Sequence, residues 1–145
     1  VATFSEITNA LADLLNDNES SLVNGLAKGD IAIEAAMPHP RFGDQLAFVY
    51  REGVHDINYG VGELDGYGDW NISLFVMFSG SEETAADQLS KLAWNLLGLL
   101  ADNTQTDHWR SLVVVRTTVD ALLGRGGSWY IGERFTLRIR WTMTL

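Results

Sequence analysis

"RFTLRIRWTM", residues 134–143, alternates without a break. Phe135, Leu137, Ile139, Trp141 and Met143 are apolar, while Arg134, Thr136, Arg138, Arg140 and Thr142 are polar. Successive side chains of a strand point to opposite faces. The stretch therefore predicts a strand with one apolar face and one basic face. An apolar strand face has to be covered, and the amphipathic segments elsewhere in the chain are the material for that.

The strongest covering segment is "SGSEETAADQLSKLAWNLLGLLADN", residues 79–103. Ser79 or Ser81 suits a helix N-cap, and Glu82 and Glu83 suit the first turn, where the helix dipole favours acids. Ala85, Leu89, Leu92, Ala93, Leu96, Leu99 and Leu100 form a wide apolar stripe at helical spacing, with Trp94 and Leu97 beside it. Gly98 costs about 1 kcal/mol against alanine in a helix interior. A second helix opens the chain: "TFSEITNALADLLNDNES" carries Thr3 and Glu6 at capping-box spacing. Phe4, Ile7, Leu11, Leu14 and Leu15 follow one helical face, which fades near Asn16.

Between these helices the pattern is β-like. "DIAIEAAM" reads as a short strand from Asp30, and "PHPR" as an extended corner, because proline restricts itself and its predecessor. "QLAFVYRE" and "VHDINYGV" read as strands with a turn at Gly53. "GELDGYGD" is rich in glycine and acids and reads as an exposed loop or hairpin tip, and the acids Asp56, Glu63, Asp65 and Asp69 of the 56–69 loop read as solvated. "WNISLFVMFS" is nearly all apolar, as in a central strand. "HWRSLVVVRTTV" reads as a strand with Val113, Val115, Thr117 and Val119 on one face. Gly124, Gly126 and Gly127 mark a hairpin loop before the last strand. The expectation is one α+β domain over residues 1–145. It has an antiparallel sheet, with the N-terminal helix and the long central helix packed on one face.

The chain carries a net charge of -9, unevenly spread. Residues 1–100 hold 15 acids against 4 bases, and residues 101–145 hold 4 acids against 6 bases. An acidic surface repels phosphate backbones, so specific nucleic-acid binding is not expected. No apolar run approaches the ~20 residues of a membrane span. No basic stretch leads into an apolar one at the N-terminus, and Val1 suggests removal of an initiator Met, so use without export is expected.

No constellation for catalysis emerges. There is no cysteine, and His39, His55 and His108 lack helical ligand spacing, so no metal site is expected. His39 between two prolines suits a rigid corner, and His108 suits the start of a strand. Asp56, Asn58 and Gly60 reproduce only a fragment of a calcium loop. "GVGELDG" and "GRGGS" lack the following helix that a phosphate cradle requires. No nucleophile elbow is present. Trp70, Trp94, Trp109, Trp129 and Trp141 read as packing residues, with Trp109 and Trp129 flanking the final strand pair. No catalytic residue, cofactor or metal is expected.

The order of elements has a parallel. A strand ("WNISLFVMFS") leads into a long Ala/Leu-rich helix, and a hairpin of two long strands follows, the last bearing arginines. Over about residues 70–145 this resembles the tail terminator (tail completion) proteins of long-tailed bacteriophages and related small neck proteins. The resemblance implies a structural virion protein that forms a ring, a hexamer in that family. The ring caps the tail tube, ends its growth and presents the head-joining surface. Implied partners are further copies of the chain, the tail tube protein and a head-completion or connector protein, with DNA passing through the ring. The implied location is the tail or neck of the virion, assembled in the host cytoplasm. Alternatives are a head-completion or neck connector protein and a small-molecule-binding α+β domain. An acidic body with a basic strand suits a contact between two different patches, so Arg134, Arg138 and Arg140 are the candidate subunit interface.

Overall fold

The computed structural model describes residues 3–27, 29–38, 43–78, 82–125 and 128–145. Among these residues three helices and five strands follow in the order α1 (Phe4–Asp17), α2 (Glu19–Leu22), β1 (Ala32–Glu34), β2 (Gln45–Gly60), β3 (Glu63–Met77), α3 (Glu82–Ala101), β4 (Ser111–Arg125) and β5 (Ser128–Thr144). The class is α+β. All five strands join one sheet in the order β1-β2-β3-β5-β4.

The sheet is mixed, which corrects the antiparallel expectation. β2, β3, β5 and β4 pair antiparallel, but β1 runs parallel to β2, with Ile33 opposite Ala47. The two antiparallel hairpins need only tight turns. β1 and β2 are joined by residues 35–44, which include Pro38 and Pro40. His39 falls outside the described residues.

β3 holds the centre. Trp70, Ile72 and Leu74 are fully buried on one face. They share an apolar cluster with Ile7, Leu11 and Leu15 of α1 and Leu89, Leu92 and Leu96 of α3. Thr3 and Glu6 close the capping box of α1, and Thr8 Oγ1 accepts a 2.9 Å hydrogen bond from Trp70 Nε1. In α3 the whole expected stripe is buried, while Trp94 is 78% exposed. Asn95 Nδ2 donates to Leu22 O and Asn24 O, tying α3 to the turn after α2. The expected serine caps of α3 lie outside the described residues. A smaller cluster of Leu46, Phe48, Phe75 and Tyr130 is buried on the other face, with Tyr130 Oη donating to Gly43 O at 2.8 Å.

Four further expectations are corrected. β2 has no turn at Gly53; it continues to Gly60, with register shifts at 51/53 and 55/58. "GELDGYGD" is not a loop: Glu63–Asp69 is paired with β2 on one side and β5 on the other. Gly66 and Gly68 serve packing, because a Cβ at Gly68 would lie 2.2 Å from Trp70 Cζ3 and one at Gly66 2.8 Å from Trp141 Cζ2. The turn itself is at Val61–Gly62, where Gly62 takes φ +73°.

Likewise, Val113, Val115, Thr117 and Val119 do not share a face. A bulge between Val114 and Arg116 sets Val113 opposite Arg138 but Val119 opposite Glu133, which belong to different faces of β5. β4 starts only at Ser111, so His108 precedes it in a turn, its N–H held by Thr106 Oγ1. Trp109 and Trp129 stand at opposite ends of the last strand pair: Trp109 is buried beside the Ser111–Arg140 end, and Trp129, opposite Gly124, is 53% exposed.

Candidate functional site

The uninterrupted register between β3 and β5 sets the candidate surface. Phe135, Leu137, Ile139 and Trp141 enter the main apolar cluster. Arg134, Thr136, Arg138 and Arg140 therefore project from the opposite face. On β3 the residues pointing the same way are Asp65, Tyr67, Asp69, Asn71 and Ser73.

This face is a lattice of polar contacts. Asp69 stands directly opposite Arg138, with 3.7 Å between Oδ1 and Nε. Arg140 Nη2 lies 3.9 Å from Asp65 Oδ2. Asn58 Nδ2 also donates to Asp65 Oδ1 at 3.3 Å. Further along, Thr136 Oγ1 donates to Asn71 Oδ1, and Asn71 Nδ2 donates to Glu52 Oε2, so a chain of hydrogen bonds crosses three strands. At the hairpin end Arg110 Nη2 meets Glu63 Oε1 at 3.2 Å.

His55 joins the same lattice. Its Nδ1 lies 2.7 Å from Asp56 Oδ2 and its Nε2 3.3 Å from Asp69 Oδ1. The two carboxylates favour the charged imidazole and raise its pKa above the usual 6.5, Asp56 having the larger effect. The ring also stacks on Tyr67 at an interplanar angle of 18°. Asp56 sits at the β2 bulge with φ +52°, a left-handed conformation that aspartate tolerates better than most residues.

The three arginines of the expected interface do share one face, but their surroundings differ. Arg138 and Arg140 are matched by acids of their own chain. Arg134 lies opposite Ser73 on one side and Thr118 on the other. Acids occupy the β2–β3 half of the face and arginines the β5–β4 half. Asp65, Asp69 and His55 were missed as members of this surface. The period-two spacing of Asp65, Tyr67 and Asp69 was the signal, masked by the glycines between them.

Elsewhere, an open trough of about 360 Å³ lies between α3 and the sheet, bordered by Trp94, Leu97, Val119, Ile131 and Glu133. Among the described residues no group of three or more His, Asp or Glu is placed to hold a metal ion. No helix among them is long and apolar enough to cross a membrane. Compared with known proteins, the chain matches no family model and no curated relative.

Proposed function

We propose that this chain is a structural subunit of a phage tail or neck, which assembles into a ring that caps the tail tube, ends its growth and receives the head. In this reading α1 and α3 pack on one face of the sheet and leave the arginine-bearing part of the other face for assembly. The observation that carries it is the succession β3, α3, β4, β5, the element order on which the resemblance to tail terminator proteins rests. The half-acidic, half-basic sheet face adds support, since a ring of identical subunits joins two different patches at every contact. Arg134, Arg138 and Arg140 are the proposed interface residues. The partners would be further copies of the chain, the tail tube protein and a connector protein, in the virion. A neck connector role uses the same surfaces at an adjacent position.

The reading makes the protein a non-enzyme. Negative-stain microscopy of the purified protein tests it directly. Rings with a central channel that bind the ends of tail tubes support it. A monomer that binds no tube and turns over a substrate would replace it with a catalytic function.

A further inference from the structure

We propose that Arg116 and Arg134 form a docking surface for the Asp13–Asp17 pair on α1 of a second copy of this chain. The inference rests on the ring reading and specifies which surfaces meet.

Among the cations whose side chains are described, these two stand apart. Arg51 lies over the Phe4 ring at 4.8 Å, and Lys91 holds Asp87 at 3.3 Å. Arg110, Arg138 and Arg140 hold Glu63, Asp69 and Asp65. Arg116 and Arg134 have no ion pair among the described residues. They are also neighbours. Arg116 stands opposite Thr136, and Arg134 is two residues along the same strand, so both project from one face. Diagonal neighbours of this kind are about 7–8 Å apart.

The carboxylates yield a matching pair. Glu6 closes a helix cap, Glu19 accepts from Ile31 N–H, Glu52 from Asn71, and Asp56 contacts His55. Of the acids left without a partner among the described residues, only Asp13 and Asp17 stand one turn apart on a helix, both exposed. Side chains at this spacing are about 5–6 Å apart, and like charges there oppose the helix. Two adjacent guanidiniums and two adjacent carboxylates at similar spacing can pair one to one.

Both pairs cannot meet within one molecule. α1 sends Ile7, Leu11 and Leu15 into the cluster that contains Phe135 and Leu137, whereas Arg134 leaves β5 on the opposite face. A second copy satisfies both. Docking through the sheet face also fits the edges. β2 beyond its short pairing with β1 carries both of its register shifts, and β4 carries two more. Bulges at an edge resist the addition of a further strand. The chain's charge of -9 disfavours a nucleic-acid phosphate backbone as the occupant.

The test uses two reversed proteins, R116E/R134E and D13R/D17R, with sedimentation velocity over a concentration and salt series. Circular dichroism checks folding, and the neutral pairs R116Q/R134Q and D13N/D17N stand in where a reversal unfolds. Each variant alone should associate about tenfold more weakly or worse than wild type, since like charges then face each other. A one-to-one mixture of the two reversed proteins should assemble again, because every contact in an alternating ring is then opposite in sign. Wild-type-like assembly of each folded variant overturns this docking and leaves the ring reading intact. A wild-type chain that stays monomeric and binds no tail tube overturns both. Duplex DNA binding that R116E/R134E loses, with assembly unchanged, assigns the arginines to a polyanion instead.

Discussion

Gly68 leaves the space that the Trp70 ring fills. A methyl group at Gly68 would lie 2.2 Å from Trp70 Cζ3, well inside contact distance, and Trp70 is fully buried. Trp70 in turn donates from Nε1 to Thr8 on α1. One small residue thus allows the ring that joins the central strand to the first helix. Gly68→Ala should destabilise the fold by about 1–3 kcal/mol, the usual range for overpacking a filled core. Denaturant melts measure it, and a loss under about 0.5 kcal/mol would mean that the ring has room to move.

The buried stripe of α3 predicts a contrast. Leu92→Ala or Leu96→Ala should cost about 2–5 kcal/mol, because both side chains are fully buried. Trp94→Ala, one turn from neither core contact and 78% exposed, should change stability by about 0.5 kcal/mol or less. Equal losses at all three positions would contradict the observed orientation of the helix.

His55 should titrate above 6.5, and Asp56→Asn should bring it down more than any single change outside its two carboxylates. Because the folded pKa is raised, the charged form is favoured by folding. That contribution is fully present below about pH 6.5 and is lost as pH rises through the folded pKa. The stability difference between wild type and His55→Gln should therefore shrink with rising pH above 6.5. NMR of the imidazole protons and melts at several pH values check this. A His55 pKa at or below that of a free imidazole would refute the arrangement of the three groups.

Arg140 and Asp65 predict a sign-dependent pair. Arg140→Glu places a negative charge beside Asp65, 27% exposed, and should cost about 0.2–1 kcal/mol. Adding Asp65→Arg should recover most of the loss, and high salt should reduce both effects. Additive losses in the double variant, with no recovery, would show that the two charges do not interact.

Much of the fold was legible in local pattern. The alternation of 134–143, the stripe of α3 and the Thr3/Glu6 cap each depend on residues close in sequence, where strand and helix periods act directly. The "GELDGYGD" segment was misread because glycine has two uses. In a turn it permits backbone angles that other residues avoid, and in a strand it makes room for a neighbour's ring. Only the positions of Trp70 and Trp141 distinguish these uses, and Trp141 comes from the far end of the chain.

The sequence by itself determined that this chain carries a basic, period-two final strand on an acidic body, with two amphipathic helices and no cysteine. Only the tertiary structure decided which arginines of that strand are matched. Asp69 reaches Arg138 and Asp65 reaches Arg140 because β3 and β5 pair in one unbroken register. The bulge in β4 brings Arg116 beside Arg134. Periodicity is a local property of a strand, so it can be read from neighbouring residues. Register and bulges arise from packing between strands that are distant in sequence, and a shift of one residue exchanges the faces of every side chain.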